Sequence, residues 1–334
     1  MTRTEAVMAG AELSVVAPVY NEADNLRPLL DRLIPVLESC ARSFEVIFVD
    51  DGSIDHTLEI LRKAHDADPR IRAIALSRNF GKEIAIAAGL DHASGAAAVI
   101  MDADLQHPPE IIRSFVEKWR EGYKNVYGQR IDRAADSRLR RLLTQRFYRL
   151  FDALGETRLP RGAGDFRLLD AKAVAALRTM REHARFSKGL YAWIGFKSIG
   201  IPFEVAPRLQ GQSKFSYRKL THFALDGLMS FTTMPLKIWT YVGLAISLLA
   251  LALASFYIIR TLILGVDVPG FASLIVSITF FGGVQLLSLG ILGEYIGRIF
   301  AEVKRRPLYL IEERVGLTPV AQDELSTRTR GDWV

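Results

Sequence analysis

Asp102 and Asp104 stand two residues apart in "VIMDADLQHPPE" (Val99 to Glu110), behind a short apolar run and ahead of a double proline. Such a run reads as a strand leaving a sheet, where an extended backbone sends alternate side chains to one face. Two carboxylates so placed repel one another. A divalent cation relieves the repulsion, and hard oxygen ligands suit Mg2+ or Mn2+, ions that keep coordination positions open for substrate phosphate oxygens. Gln106, at the next alternate position, adds a carbonyl oxygen, so the expected metal set is Asp102, Asp104 and Gln106. His107 is either a neighbour of that cation or a cap on the turn into the next helix.

The elements that must position these acids repeat along the first two thirds of the chain. "LSVVAPVYN", "FEVIFVDDGS", "IRAIALSRN" and "AAAVIMDAD" are strand-like apolar runs with polar ends. Each is followed by a segment with apolar residues at helical spacing: "NLRPLLDRLIPVLESC", "IDHTLEILRKAH", "EIAIAAGLDHA" and "PPEIIRSFVEKW". Four strand–helix alternations predict an α/β domain with a mostly parallel sheet and helices on both faces. Ligands of such sheets bind beyond the carboxyl ends of the strands, where the acid clusters fall.

At 334 residues, 49% of them hydrophobic, the chain can bury one full domain and still carry an appendage. Lys and Arg number 43 against 37 Asp and Glu, a modest excess compatible with an anionic partner, and no nucleic-acid partner is expected. The single cysteine, Cys40, excludes an intrachain disulfide framework and fits a reducing compartment. The first residues hold no apolar stretch of the signal-peptide kind, so no cleavable signal is expected.

The appendage is read as a membrane anchor. Ile238 to Ile259 carries no charge and is long enough for a helix to cross a ~30 Å hydrocarbon core, and a second uncharged run spans Val268 to Gly293. Only a short turn separates them, which predicts a helical hairpin, with Gly282, Gly283, Gly290 and Gly293 allowing close approach. Lys214, Arg218, Lys219 and Lys237 precede the first run, and Arg298, Lys304, Arg305 and Arg306 follow the second. That asymmetry places both ends in the cytoplasm. Residues 216–236 mix Lys and Arg with Phe223, Leu225, Leu228, Met229 and Phe231, the composition of an amphipathic helix lying on the bilayer surface. The expected order is a flexible stretch 1–11, a catalytic domain 12–215, the surface helix 216–236, membrane helices 237–264 and 268–297, and a cytoplasmic segment 298–334, disordered beyond about 317.

Six motifs in order give the reading a name. "PVYNE", "VDDGSIDHT", "SRNFGKEIAIAAGLDHA", "MDADLQHPPE", "GDFRLLD" and "RLQGQSKFSYRKL" together resemble family 2 glycosyltransferases, and within them the polyprenyl-phosphate hexosyltransferase branch, over roughly residues 12 to 312. The resemblance implies a GT-A-like catalytic domain that moves a hexose, glucose from UDP-glucose as the first choice, to the phosphate of a membrane polyprenol with inversion. GDP-mannose and a UDP-linked aminopentose are the alternative donors.

It also implies roles for individual residues. Pro18, Tyr20, Glu22 and Asp51 line the base and ribose, with Asp51 accepting from the base edge. Lys82, Arg208, Ser213 and Lys214 hold the diphosphate end of the donor beside Asp102, and Arg130 receives the lipid phosphate. Asp165 is the catalytic carboxylate, either a base or a group that orients the acceptor and stabilises positive charge on the anomeric carbon. Glu22 and Asp55 each sit where a helix begins, and for Asp55 helix capping is the preferred reading. Implied partners are a nucleotide sugar, a polyprenyl phosphate, the lipid bilayer of a bacterial inner membrane and further copies of the chain, as in a tetramer. Two other classes compete: a processive polysaccharide synthase, whose Gln-x-x-Arg-Trp motif is missing here, and a non-catalytic nucleotide-sugar-binding membrane protein.

Overall fold

In the computed structural model, the described residues are 11–130, 162–183, 185–204 and 270–317, with a discontinuous set between 241 and 263. The chain alternates β1 (Leu13–Val19), α1 (Ala23–Cys40), β2 (Phe44–Asp50), α2 (Thr57–Ala67), β3 (Ile71–Leu76), α3 (Lys82–His92), β4 (Ala97–Ile100) and α4 (Ile111–Arg120). Then follow β5 (Asn125–Arg130), β6 (Ala163–Asp170), α5 (Ala171–Thr179), α6 (Ser187–Trp193), β7 (Ser198–Phe203), α7 (Phe271–Val303) and β8 (Ile311–Val315).

These strands form one eight-stranded sheet in the order β7-β5-β6-β4-β1-β2-β3-β8. The pairs β1/β2, β1/β4, β2/β3 and β5/β7 are parallel, while β4/β6, β5/β6 and β3/β8 are antiparallel. The sheet is mostly parallel, as its four βα repeats require. β1 leads outward to β2 and β3 on one side, and the chain then crosses to lay β4 on the other. That reversal opens a crevice at the carboxyl ends of β1 and β4, the usual ligand position in open α/β sheets.

Both faces of the sheet are covered, and the near-continuous apolar strands show why. Val15, Ala17, Val46 and Phe48 pack under Leu26, Leu29, Leu33, Phe115 and Val116 of α1 and α4. Val16, Ile47, Val49 and Ile74 alternate with them and meet Ala85, Ile86 and Ala88 of α3 and Leu190 of α6 on the opposite face. Gly89 lets α3 lie close on the sheet, because a Cβ there would collide with Val16 and Val49 side chains.

The helix α7 has 33 residues, roughly 50 Å at 1.5 Å per residue. Its Phe280–Val303 stretch is apolar and long enough to cross a membrane. Leu286, Leu289, Ile296, Ile299 and Phe300 are exposed along it, apolar surface that water does not favour. The helix runs past the expected end at 297, since Arg298 pairs with Glu294 one turn back and both charges stay compatible with helical backbone. Of the expected first membrane helix, the described residues between 241 and 263 are helical. The surface helix 216–236 and the segment beyond 317 lie outside the described residues.

The elements from β5 to β7 and the last strand had no counterpart in the sequence reading, and the last strand is the least expected. After α7 the chain returns to the catalytic domain and adds β8 antiparallel to β3, closing that edge of the sheet. Arg62 and Glu313 join β8 to α2, and Tyr309 donates to Asp91 at the far end of α3 at 2.8 Å. The end of α7 is tied in as well, where Glu302 accepts from His183 N–H at 2.7 Å.

Candidate active site

The acid loop departs from its expected geometry. β4 stops at Ile100, so residues 101–106 turn rather than extend, and the alternation argument for Asp102, Asp104 and Gln106 does not apply. Instead Leu105 adopts φ 61° with its side chain buried, a left-handed conformation that a branched side chain takes only when its surroundings hold it there. The turn is braced twice. Asp104 accepts from Gln106 N–H at 3.1 Å, and Asp102 N–H donates to His107 Nδ1 at 3.0 Å. The His107 ring stacks on Phe166 at 4.7 Å and meets Phe203 edge-on. Burial holds His107 below the usual histidine pKa, in keeping with a neutral Nδ1 that accepts. His107 is thus a brace of the loop, placed beside Asp102 rather than at the start of α4.

The loops from β1, β2 and β3 fit against one another beside it. Asn21, at φ 55°, accepts from Ile54 N–H at 2.9 Å, and Ser53 Oγ accepts from Asn21 N–H at 2.9 Å. Asp55 accepts from Thr57 N–H at 3.0 Å and Ala23 N–H at 3.3 Å, which agrees with the capping reading. Glu22 makes no such cap and accepts from the Asn25 side chain. Pro18 closes β1 half-buried, while Tyr20 is 37% exposed at the mouth. Gly52, at φ 73°, brings the β2 loop onto the β3 loop, where a Cβ would lie 2.7 Å from Arg78 C.

Asp51 is buried, and its two oxygens accept from Phe80 N–H at 2.7 Å and Gly81 N–H at 2.9 Å. Burial raises its pKa and these two bonds oppose the rise. Asp51 therefore fixes the backbone that presents Lys82, a role that the base-binding expectation did not include.

Lys82 is the centre of the site. Its Nζ lies 2.6 Å from Asp102 Oδ1, 2.8 Å from Asp102 Oδ2 and 3.2 Å from Asp165 Oδ2. Desolvation works against the ammonium, and the Asp102 and Asp165 charges outweigh it, holding Lys82 above the usual lysine range. For Asp165, burial alone would favour the neutral acid. Lys82, Lys188 and Arg167 reverse that and keep it well below the ordinary carboxylate pKa.

Beneath Asp165 lies a layer that the sequence reading missed. Arg167, 2% exposed, donates to Gly164 O and Asn125 Oδ1 and sits over the Tyr191 ring at 3.7 Å. Glu83 accepts from Ser187 N–H at 3.1 Å. Arg167 follows Asp165 at alternate strand spacing and Glu83 follows Lys82 directly, so both were within reach of the sequence. What it could not supply was β6 lying antiparallel beside β4, which sets Ile100 opposite Arg167 and brings Asp165 to the acid loop. Because β5 is antiparallel to β6, Arg130 ends up exposed at the same end of the sheet as the start of β6, which carries Asp165. Arg208, Ser213 and Lys214 lie outside the described residues.

Desolvation, then the Asp165 charge, pushes the Glu83 pKa above its ordinary 4.5. The folded state then holds a proton that the unfolded chain has released, so Glu83 subtracts stability as pH rises from about 4.5 toward its folded value. Glu83→Gln removes that penalty and keeps an acceptor for Ser187. The thermal midpoint of the variant relative to wild type is expected to be higher at pH 8 than at pH 5. An equal difference at both values would show that Glu83 does not titrate differently on folding.

The donor set suits a divalent cation with open positions. Asp165 Oδ1 is buried with no hydrogen-bond partner among the described residues, and Lys82 stands as a single positive charge between two carboxylates. Among the described residues no three acid, histidine or cysteine side chains converge to hold a metal alone. A cation held here would need oxygens from a bound substrate to complete its shell.

Residues 14–178 match the profile of Glycosyl transferase family 2. The chain is 50% identical over 315 residues to an uncharacterized glycosyltransferase of Synechocystis, covering 94% of this chain and 99% of that one. It is 41% identical over 310 residues to a prophage-derived bactoprenol glucosyl transferase of Shigella flexneri, covering 90% and 98%. A solved mannosyltransferase of Pyrobaculum calidifontis, in complex with GDP-Man and Mn2+, matches 65% of this chain and 61% of its own at 20% identity and TM-score 0.42. The chain belongs to the family 2 glycosyltransferases, and its α/β sheet is of the GT-A kind. It is a glycosyltransferase enzyme.

Proposed function

We propose that the chain transfers glucose from UDP-glucose to undecaprenyl phosphate, with inversion, at the cytoplasmic face of a bacterial inner membrane. The observation that carries this reading is the Asp102–Lys82–Asp165 cluster at the crevice where the sheet reverses. Support for the acceptor comes from the bactoprenol glucosyl transferase named above, whose similarity extends over nine tenths of this chain.

In this reading Asp102, Asp104 and Gln106 would hold Mg2+ or Mn2+ together with phosphate oxygens of the donor. A cation bound there would supply Lewis-acid neutralisation of charge on the departing nucleotide. Pro18, Tyr20 and Glu22 border the nucleotide, and Asp51 keeps the Lys82 loop against it. Arg208, Ser213 and Lys214 add contacts to the diphosphate. Arg130 draws the lipid phosphate to the same end of the sheet. The acceptor oxygen is already ionised near neutral pH, so Asp165 acts chiefly as a fixed negative charge under the sugar, orienting the acceptor and stabilising the anomeric carbon. The 237–264 segment and α7 anchor the domain, the 216–236 helix sets it at headgroup height, and both termini stay cytoplasmic. Apolar surface along α7 is covered by lipid and by other copies of the chain in a homo-oligomer such as a tetramer.

The test is transfer of radiolabelled sugar from UDP-glucose, GDP-mannose and a UDP-aminopentose to undecaprenyl phosphate, using full-length protein in detergent with Mg2+, Mn2+ or EDTA. Label is expected in lipid from UDP-glucose with either cation and not in EDTA. Asp104→Asn is expected to abolish transfer yet leave the protein folded, since the amide oxygen can still accept from Gln106 N–H. Incorporation that survives EDTA removes the metal from the reaction. Folded protein that labels lipid from no donor favours a binding role.

A further inference from the structure

Lys82 is paired with Asp102, the carboxylate that the proposed cation needs: its Nζ donates to Oδ2 at 2.8 Å and lies 2.6 Å from Oδ1. A cation bound there and an ammonium held at the same oxygens would be two positive charges at near-contact distance, an arrangement that Coulomb repulsion disfavours strongly. Each therefore weakens the other's hold on Asp102 while the side chain stays where it is. We propose that Lys82 is a mobile counter-ion that makes cation binding and diphosphate binding mutually dependent, holding Asp102 until the donor arrives and then moving to the diphosphate.

The surroundings permit that motion and confine it to one side chain. Lys82 is the first residue of α3, its side chain is 41% exposed toward the mouth, and its four-carbon stem can swing without disturbing the helix. The backbone on either side is pinned. Asp51 holds Phe80 and Gly81, and Glu83 is held by Ser187 N–H. A diphosphate offers the departing ammonium a partner of higher charge than Asp102, and only then is Asp102 free for the cation. By linkage, whatever factor the diphosphate adds to cation affinity, the cation adds to diphosphate affinity. The enzyme therefore resists loading with metal before donor.

This inference rests on the metal site proposed above, and the experiment separates the two. Binding of Mn2+ to full-length protein in detergent is followed by the loss of the free-ion electron paramagnetic resonance signal, with and without UDP, for wild type, Lys82→Met and Asp102→Asn. Wild type is expected to bind Mn2+ weakly alone and about tenfold or more tightly with UDP, allowing for chelation by UDP itself. Lys82→Met is expected to bind Mn2+ alone about tenfold more tightly than wild type, because its competitor is gone, and to gain less from UDP than wild type does, keeping only the part due to the phosphate oxygens themselves. A Lys82→Met protein that binds Mn2+ alone no better than wild type overturns the counter-ion role. Equal Mn2+ binding by wild type and Asp102→Asn instead overturns the metal site. Lys82→Gln, which keeps a polar terminus without the charge, repeats the test if the methionine variant does not fold.

Discussion

Asp165→Asn is expected to lower the rate of sugar transfer about 10²- to 10⁴-fold, the range in which a positioned acid–base or charged group contributes to a transition state. The replacement is nearly isosteric, and the amide oxygen can still accept from Lys82. What disappears is the negative charge that Lys82, Lys188 and Arg167 keep ionised. If that charge acts on the developing anomeric cation, turnover falls and the KM for the nucleotide sugar changes by less than about threefold, because the interaction exists only in the transition state. Steady-state kinetics on both substrates distinguish the possibilities. A raised acceptor KM at unchanged turnover would reassign Asp165 to acceptor binding, and full activity would remove it from the site.

Arg167→Met carries the largest expected loss of stability, about 3 kcal/mol or more, because one buried partner is removed while the others stay. Gly164 O and Asn125 Oδ1 lose their donor, the Tyr191 face loses its cation, and Asp165 keeps its charge with one counter-charge fewer. Methionine fills much of the volume, so the loss reports charge and hydrogen bonds rather than a cavity. For a domain of this size such a change lowers the thermal midpoint by roughly 6–12 °C. A midpoint within 2 °C of wild type would mean that Arg167 can be exchanged for an apolar residue, as some buried ion networks can.

The first half of the sheet was legible because its code is local. "LSVVAPV" and "FEVIFVD" are apolar on both faces, and the helices after them carry their apolar residues on one stripe, so β1 to α4 follow from period alone. Pairing is not local. Nothing in "GDFRLLD" says that it will lie antiparallel to "AAVI", yet that contact carries Asp165 to Lys82. The acid motif shows the same division. Its residue types announced an acidic cluster at the end of β4, but its geometry came from the left-handed turn at Leu105 and the bond to His107, not from strand alternation. Asp51 was placed correctly at the end of β2 and given a ligand to hold, whereas its oxygens meet the neighbouring loop. The long uncharged run of α7 was readable from composition, and the short alternating "IEERV" behind it was overshadowed by the charges around it.

The position of that last strand has a consequence for how the enzyme is made. A ribosome releases residues in order, so β8 can reach its place only after all of α7 has been synthesised. Until then β3 is a bare edge, with backbone donors and acceptors open to any other strand. A nascent or truncated chain that ends before Ile311 would hold every acid of the site and still present an unfinished, aggregation-prone margin. Completion of the sheet thus reports that the apolar helix ahead of β8 has been made in full, a built-in check on the length of the chain at the moment of birth.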